Sequence, residues 1–315
     1  MPSTLRSLKD VLRALLFPCL ILSLSGCVPS LGGLTSGSKT APEETPKEIV
    51  ARGVELAGKG DLEGAEAFFN MALQRAPRYA PAYFNRGLVL EIKGDTDRAL
   101  SDYRNAVEID PAHTRALVNA GNILLRKNEF RKAIQDYSKA LAIRSGDSLI
   151  HYNRGVAWAK LEEYDKAITD FDQALGEAPE MTEAYYNRAL AWAAKGHHQW
   201  AIQDLSRVLE SSPTHPEALL TRGVFYMRNG EIDQAIEDFT RSIRQNPKAE
   251  QPYFYRGLAW TLKRDNSRAL EDLTKAIKLN PKNAEAYESR GTVLQAMGET
   301  EKARRDHDRA SELKN

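Results

Sequence analysis

Of the side chains able to do chemistry in this 315-residue chain, histidine comes first. His113, His151, His197, His198, His215 and His307 are scattered, and the one adjacent pair, His197 and His198, lacks carboxylate or cysteine ligands at helical spacing. No H-E-x-x-H, G-x-S-x-G or phosphate-loop pattern occurs, so neither catalysis, a metal nor a cofactor is expected. Two charged series are more regular. Arg52, Arg86, Arg154, Arg188, Arg222, Arg256 and Arg290 are matched by Asp102, Asp136, Asp170, Asp204, Asp238, Asp272 and Asp306. An aspartate for nearly every arginine argues for structural guanidinium–carboxylate pairs rather than a ladder for an acidic ligand.

The elements that hold these residues are repeats. Gly53, Gly87, Gly121, Gly155, Gly223, Gly257 and Gly291 share a 34-residue register, with Ala189 in the one gap. Ala65, Ala99, Ala133, Ala167, Ala201, Ala235, Ala269 and Ala303 form a second series, and Pro77, Pro111, Pro179, Pro213, Pro247 and Pro281 a third, with Ser145 as its exception. Units therefore begin at Pro46, Ala80, Thr114, Ser148, Thr182, Pro216, Glu250 and Ala284. Each carries two apolar stripes at helical spacing. Gly60, Gly94, Gly196, Gly230 and Gly298 stand between them, where a left-handed helix terminus is needed. Glycine at position 8 of a helix costs about 0.5–1 kcal/mol relative to alanine, so it must answer a packing need; positions 8 and 20 are expected where the two helices cross.

In the second unit Tyr83, Gly87, Leu90, Ala99, Tyr103, Ala106 and Pro111 resemble the tetratricopeptide repeat, and the resemblance runs over residues 46–315. It implies an all-α, right-handed superhelical solenoid of eight 34-residue helix hairpins, whose first helices line a concave groove. The polar last helix, Lys302 to Lys314 with His307 in the aromatic position, is expected to cap the stack. At position 6 stand Asn85, Asn119, Asn153 and Asn187, then Thr221, Tyr255 and Ser289. This resembles the asparagine ladder with which the repeats of O-linked N-acetylglucosamine transferases hold peptide backbone, because an amide matches a peptide unit with both donor and acceptor. Asparagine is also common there in the family, so a structural role stays open. Position 5 holds Phe84, Val118, Tyr152, Tyr186, Leu220 and Phe254. These could anchor a peptide, pack between first helices, or both.

The N-terminus reads as an export signal. Arg6, Lys9 and Arg13 precede an apolar run from Ala14 to Leu24, eleven residues long. A bilayer span needs about 20 apolar residues, so the run fits a signal core instead. Leu24-Ser25-Gly26-Cys27 resembles the lipobox of bacterial lipoproteins, which implies cleavage after Gly26 and lipidation of Cys27. Residues 27–45, rich in Gly, Ser, Thr and Pro, are expected to tether the repeats over about 20–25 Å. With 28% charged residues and a net charge of +1, nothing points to nucleic acid. The expected protein is a scaffold that takes peptide segments of partner proteins on its concave face. It is expected to meet the bacterial envelope, at the outer membrane facing the periplasm, only through its lipid. The alternatives are a pilotin-like assembly factor for a pilus or secretion complex and, from a different class, an enzyme or carbohydrate-binding protein.

Overall fold

A computed structural model describes residues 44–314. The signal segment, Cys27 and nearly all of the tether lie outside the described residues. Sixteen α-helices fill the rest, paired as hairpins. The chain divides into two compact units at residues 163 and 164, between the two helices of the fourth repeat.

The first unit contains α1 (Pro46–Gly58), α2 (Leu62–Arg75), α3 (Ala80–Ile92), α4 (Thr96–Ile109), α5 (Thr114–Arg126), α6 (Phe130–Ile143) and α7 (Ser148–Lys160). The second contains α8 (Tyr164–Glu177), α9 (Thr182–Ala194), α10 (His198–Ser211), α11 (Pro216–Arg228), α12 (Ile232–Gln245), α13 (Glu250–Leu262), α14 (Asn266–Leu279), α15 (Ala284–Ala296) and α16 (Thr300–Lys314). Every first helix of a repeat starts at the residue where its 34-residue unit begins. The last helix starts two residues before the expected Lys302, its first turn carrying Glu301 as the macrodipole favours. Within each unit a helix packs on its hairpin partner and on the next first helix, and successive first helices also touch.

Hairpin packing explains the glycines. A Cβ built on Gly87 would lie 2.7 Å from Cε1 of Tyr103, and on Gly53, Gly121 and Gly223 it would meet Phe69, Tyr137 and Phe239 at 2.5–2.7 Å. These rings come from position 24 of the repeat, on its second helix, and are fully or almost fully buried. Position 8 is therefore small to seat the position-24 side chain of its own repeat, a ring in these four and Leu273, 2.9 Å from a Cβ built on Gly257, in the seventh. The Ala series at position 20 is also fully buried, but the position-24 side chain supplies the constraint on glycine. Where position 8 is Ala189, position 24 is Leu205, a branched side chain in place of a flat ring. In the last repeat His307 takes the ring's place against Gly291.

Between the helices of each hairpin one residue adopts positive φ. Gly60, Gly94, Gly196, Gly230 and Gly298 do so at 82–86°, as the sequence implies. Asn128, Glu162 and Arg264 do so at 60–62° without being glycine. A side chain in that conformation costs about 1–2 kcal/mol. Arg264→Gly is accordingly expected to stabilise the second unit by about 0.5–1 kcal/mol, the gain reduced by glycine's freedom in the unfolded chain. Thermal unfolding followed by circular dichroism checks this; an unchanged or lower midpoint contradicts it. The turn to the next repeat does not depend on its proline. Arg144, which precedes Ser145, has φ −131° and ψ 84°, close to the −127° and 93° of Asp110 before Pro111.

Candidate functional site

The regular arginines and aspartates pair as planar forks. Arg86 donates from Nε and Nη2 to the carboxylate of Asp102 at 2.8 and 2.7 Å. Arg188 with Asp204, Arg222 with Asp238, Arg256 with Asp272 and Arg290 with Asp306 repeat the fork at 2.7–2.9 Å. The aspartates are buried and the guanidiniums half-buried. Hydrogen bonds to the carboxylates hold Arg86, Arg256 and Arg290 above the ordinary arginine range, so these guanidiniums keep their charge. The remaining Nη1 reaches position 25 of the preceding repeat: Asn70, Ser138, Ser206 and Thr240 accept from Arg86, Arg154, Arg222 and Arg256 at 2.6–3.0 Å. One residue thereby ties two helices of its hairpin to the repeat before, which fixes register along the stack.

Repeat three breaks the pattern and keeps the chemistry. Its position 7 is Ala120, yet Asp136 is still capped by a fork, from Arg104 at 2.7 and 2.6 Å. Arg104 stands at position 25 of repeat two, so the guanidinium arrives from the neighbouring repeat instead of its own hairpin.

The residues expected to line a groove fall into two groups. Phe84, Tyr152 and Phe254 are 4%, 9% and 6% exposed, so packing is the role the structure shows for them. Phe84 lies against His113 (ring centroids 4.7 Å apart) and under the guanidinium of Arg115. Asn187 is also buried, at 4%. These four correct any picture of position 5 and 6 as a uniformly open row: position 5 faces the next first helix, and Asn187 sits inside the helix layer. Asn85, Asn119 and Asn153 in the first unit, and Tyr186 and Tyr255 in the second, are half-buried and reach solvent. Tyr186 stacks on His215 with centroids 5.8 Å apart, and Tyr255 stacks on Phe239 at 6.0 Å. Burial pushes both phenols above the ordinary tyrosine range, Tyr255 to about 12.

The asparagines have structural duties that vary with the ring of the preceding repeat. Asn153 donates to Asn122 Oδ1 at 3.1 Å, and that oxygen also accepts from the Tyr137 hydroxyl at 2.7 Å. Asn119 lies within hydrogen-bonding reach of the Tyr103 hydroxyl. Behind Asn85 the ring is Phe69, which has no hydroxyl, and Asn85 donates to the Pro81 carbonyl of its own helix at 2.7 Å instead. At Tyr137 the phenol and the next repeat's Asn153 thus share one acceptor, Asn122 Oδ1. Sequence reasoning passed over two histidines that act as caps: Nδ1 of His113 and of His215 accepts from the Ala116 and Ala218 N–H groups at 3.2 and 3.3 Å. Both stand at the last position of a repeat, one residue before a first helix, which is the signal that marks them. Burial lowers the His113 pKa and keeps the ring in the neutral form that this acceptor role requires. Among the described residues no group of three or more His, Cys, Asp or Glu is placed to hold a metal.

Tetratricopeptide-repeat family models match residues 80–113, 118–180, 152–216, 193–260 and 273–305. The chain belongs to the tetratricopeptide-repeat proteins, a family of protein-binding scaffolds that generally lack enzymatic activity. It is similar to YrrB, described as a tetratricopeptide protein with an unusual peptide-binding site, at 26% identity and a TM-score of 0.54, over 58% of this chain and 95% of that one. A tetratricopeptide-repeat protein from Parabacteroides merdae shares 25% identity with a TM-score of 0.50, over 85% of this chain and 93% of its own. PilF of Pseudomonas aeruginosa has the same fold at 18% identity and a TM-score of 0.55, over 66% of this chain and 94% of its own. No curated protein sequence matches the chain.

Proposed function

We propose that the chain is a lipid-anchored scaffold that binds peptide segments of partner proteins in the bacterial envelope. The observation that carries the binding role is the half-exposed row on the first helices, formed by Asn85, Asn119 and Asn153 in one unit and Tyr186 and Tyr255 in the other. The asparagines keep amide atoms beyond their internal bonds, and the tyrosines offer rigid, amphipathic contact surface at small entropic cost. The buried aspartates, which would be the groups for acid–base chemistry, are occupied by arginine forks. Likeness to YrrB supports a peptide ligand. The anchor rests on the Leu24-Ser25-Gly26-Cys27 sequence, and no described helix is long and apolar enough to cross a membrane. The likeness to PilF is one of fold, so a pilotin-like role draws on the lipobox and repeats alone.

Two experiments test the two halves. Cys27→Ala is expected to move the protein from the membrane to the soluble fraction and to abolish labelling by a palmitate analogue; unchanged membrane association contradicts the anchor. For binding, the full chain is used as bait in solubilised envelopes beside a Tyr186→Ala, Tyr255→Ala variant and an Asn85→Ala, Asn153→Ala variant. Partners held by the wild type and reduced about tenfold or more by a variant that still unfolds cooperatively support the reading. Partners held equally by all three place binding elsewhere.

A further inference from the structure

Arg228, the last residue of α11, departs from every charge pattern described above. Arg188, Arg222, Arg256 and Arg290 in the same unit are half-buried and each is held by a bidentate aspartate. Arg228 is also half-buried, but no carboxylate among the described residues pairs with it, and its Nε is shut off from solvent without a hydrogen-bond partner. Its surroundings are mainly aromatic; Glu285 and Glu250 act on the Tyr255 phenol but not on Arg228. His198 stacks on Phe225 at 5.6 Å and feels the Arg228 charge, while the Tyr255 hydroxyl is close enough to favour that charge. Burial is the main influence on Arg228 and lowers its pKa. An arginine cannot escape this by losing its proton, so the site holds a partly desolvated positive charge.

The repeat register shows what is missing. Arg126 occupies the same position in repeat three, position 13, and donates to Glu91 Oε1 at 2.5 Å. Glu91 is position 12 of the preceding repeat. For Arg228 that position is Ala193, 2% exposed and unable to accept a hydrogen bond. The same cation therefore stands at the same place with its acid removed. Leaving a half-buried guanidinium unpaired costs stability, and an anion supplied by a ligand would recover it.

We propose that Arg228 is the binding site for a carboxylate of the bound peptide, which takes the place that Glu91 fills beside Arg126. The inference rests on the peptide-binding reading and adds its chemistry: the second unit selects segments that place an acidic side chain, or a terminal carboxylate, beside Arg228 of α11 and Tyr255 of α13. A guanidinium fork gives two parallel hydrogen bonds to a carboxylate, and the neighbouring rings would keep that contact from full hydration.

Arrays of short random peptides, printed both with a free C-terminal acid and with a C-terminal amide, provide the probe for the full chain. The wild type is expected to favour peptides with an acid, at least about tenfold over their amide or Gln counterparts. Preference for internal Asp or Glu on both arrays identifies a side-chain carboxylate; preference confined to free acids identifies the terminus. Arg228→Met is expected to erase the preference while the variant unfolds at an equal or higher temperature, and Arg228→Lys to keep part of it. Ala193→Glu, which restores the acid in register, is expected to erase it as well; since Ala193 is buried, Arg228→Met carries the test if that variant does not fold. Peptides bound without acid preference, or a preference that survives Arg228→Met, overturn this inference and leave the peptide-binding reading standing. No peptide binding at all overturns both.

Discussion

Arg104→Met is expected to destabilise the first unit by about 3 kcal/mol, the lower end for a broken buried pair because the arginine is itself partly exposed. The reason lies in Asp136, whose side chain is 3% exposed and whose two oxygens both accept from Arg104. Methionine keeps most of the stem but leaves a buried carboxylate uncompensated. A second variant separates this from a general effect of losing a surface charge. Arg104→Ser with Ala120→Arg would rebuild the arrangement of Arg222, Asp238 and Ser206, with the guanidinium on position 7 and a hydroxyl on position 25. The double variant is expected to recover most of the loss in urea unfolding. If Arg104→Met is neutral, the fork at Asp136 does not hold the third repeat.

Gly87→Leu is expected to disrupt the second hairpin, costing more than the 1–3 kcal/mol typical of overpacking, since the first added atom already lies 2.7 Å from a rigid ring. Tyr103 is fully buried and its hydroxyl donates to Glu91 at 2.9 Å, so the ring has little freedom to retreat. The milder Gly87→Ala tests the idea by coupling. Alone it is expected to destabilise by about 1 kcal/mol despite alanine's better helix propensity. Combined with Tyr103→Leu, which mimics the natural pair Ala189 and Leu205, its cost should fall. Additive effects of the two substitutions would show that ring and glycine do not constrain each other.

These two sites also show how far the sequence could be read. Helix starts were legible because position 1 of each repeat follows a turn of fixed length, and packing repeats with that period. The left-handed turn was legible at five glycines and hidden at Asn128, Glu162 and Arg264, because the hairpin imposes the conformation whatever the residue. The paired charges were legible as matched series, but the shift of one arginine from position 7 to position 25 was not. A side chain as long as arginine reaches one carboxylate from two helices, and only geometry tells which. Of the groove residues, Phe84, Tyr152, Phe254 and Asn187 proved buried, since a side chain between adjacent first helices and one facing outward differ by a rotation that residue type does not encode. Arg228 was invisible for a related reason: its singularity is the absence of an acid at position 193, and that matters only once burial and register are known.

The central claim is that peptide segments bind the first-helix face. Hydrogen–deuterium exchange of the full chain, with and without a peptide selected from the arrays, addresses it most directly. The account predicts that added protection concentrates in the first helices, in α9, α11 and α13 if Arg228 contributes, with α10, α12 and α14 little changed. Protection concentrated in those second helices, or at the turns between repeats, would contradict it.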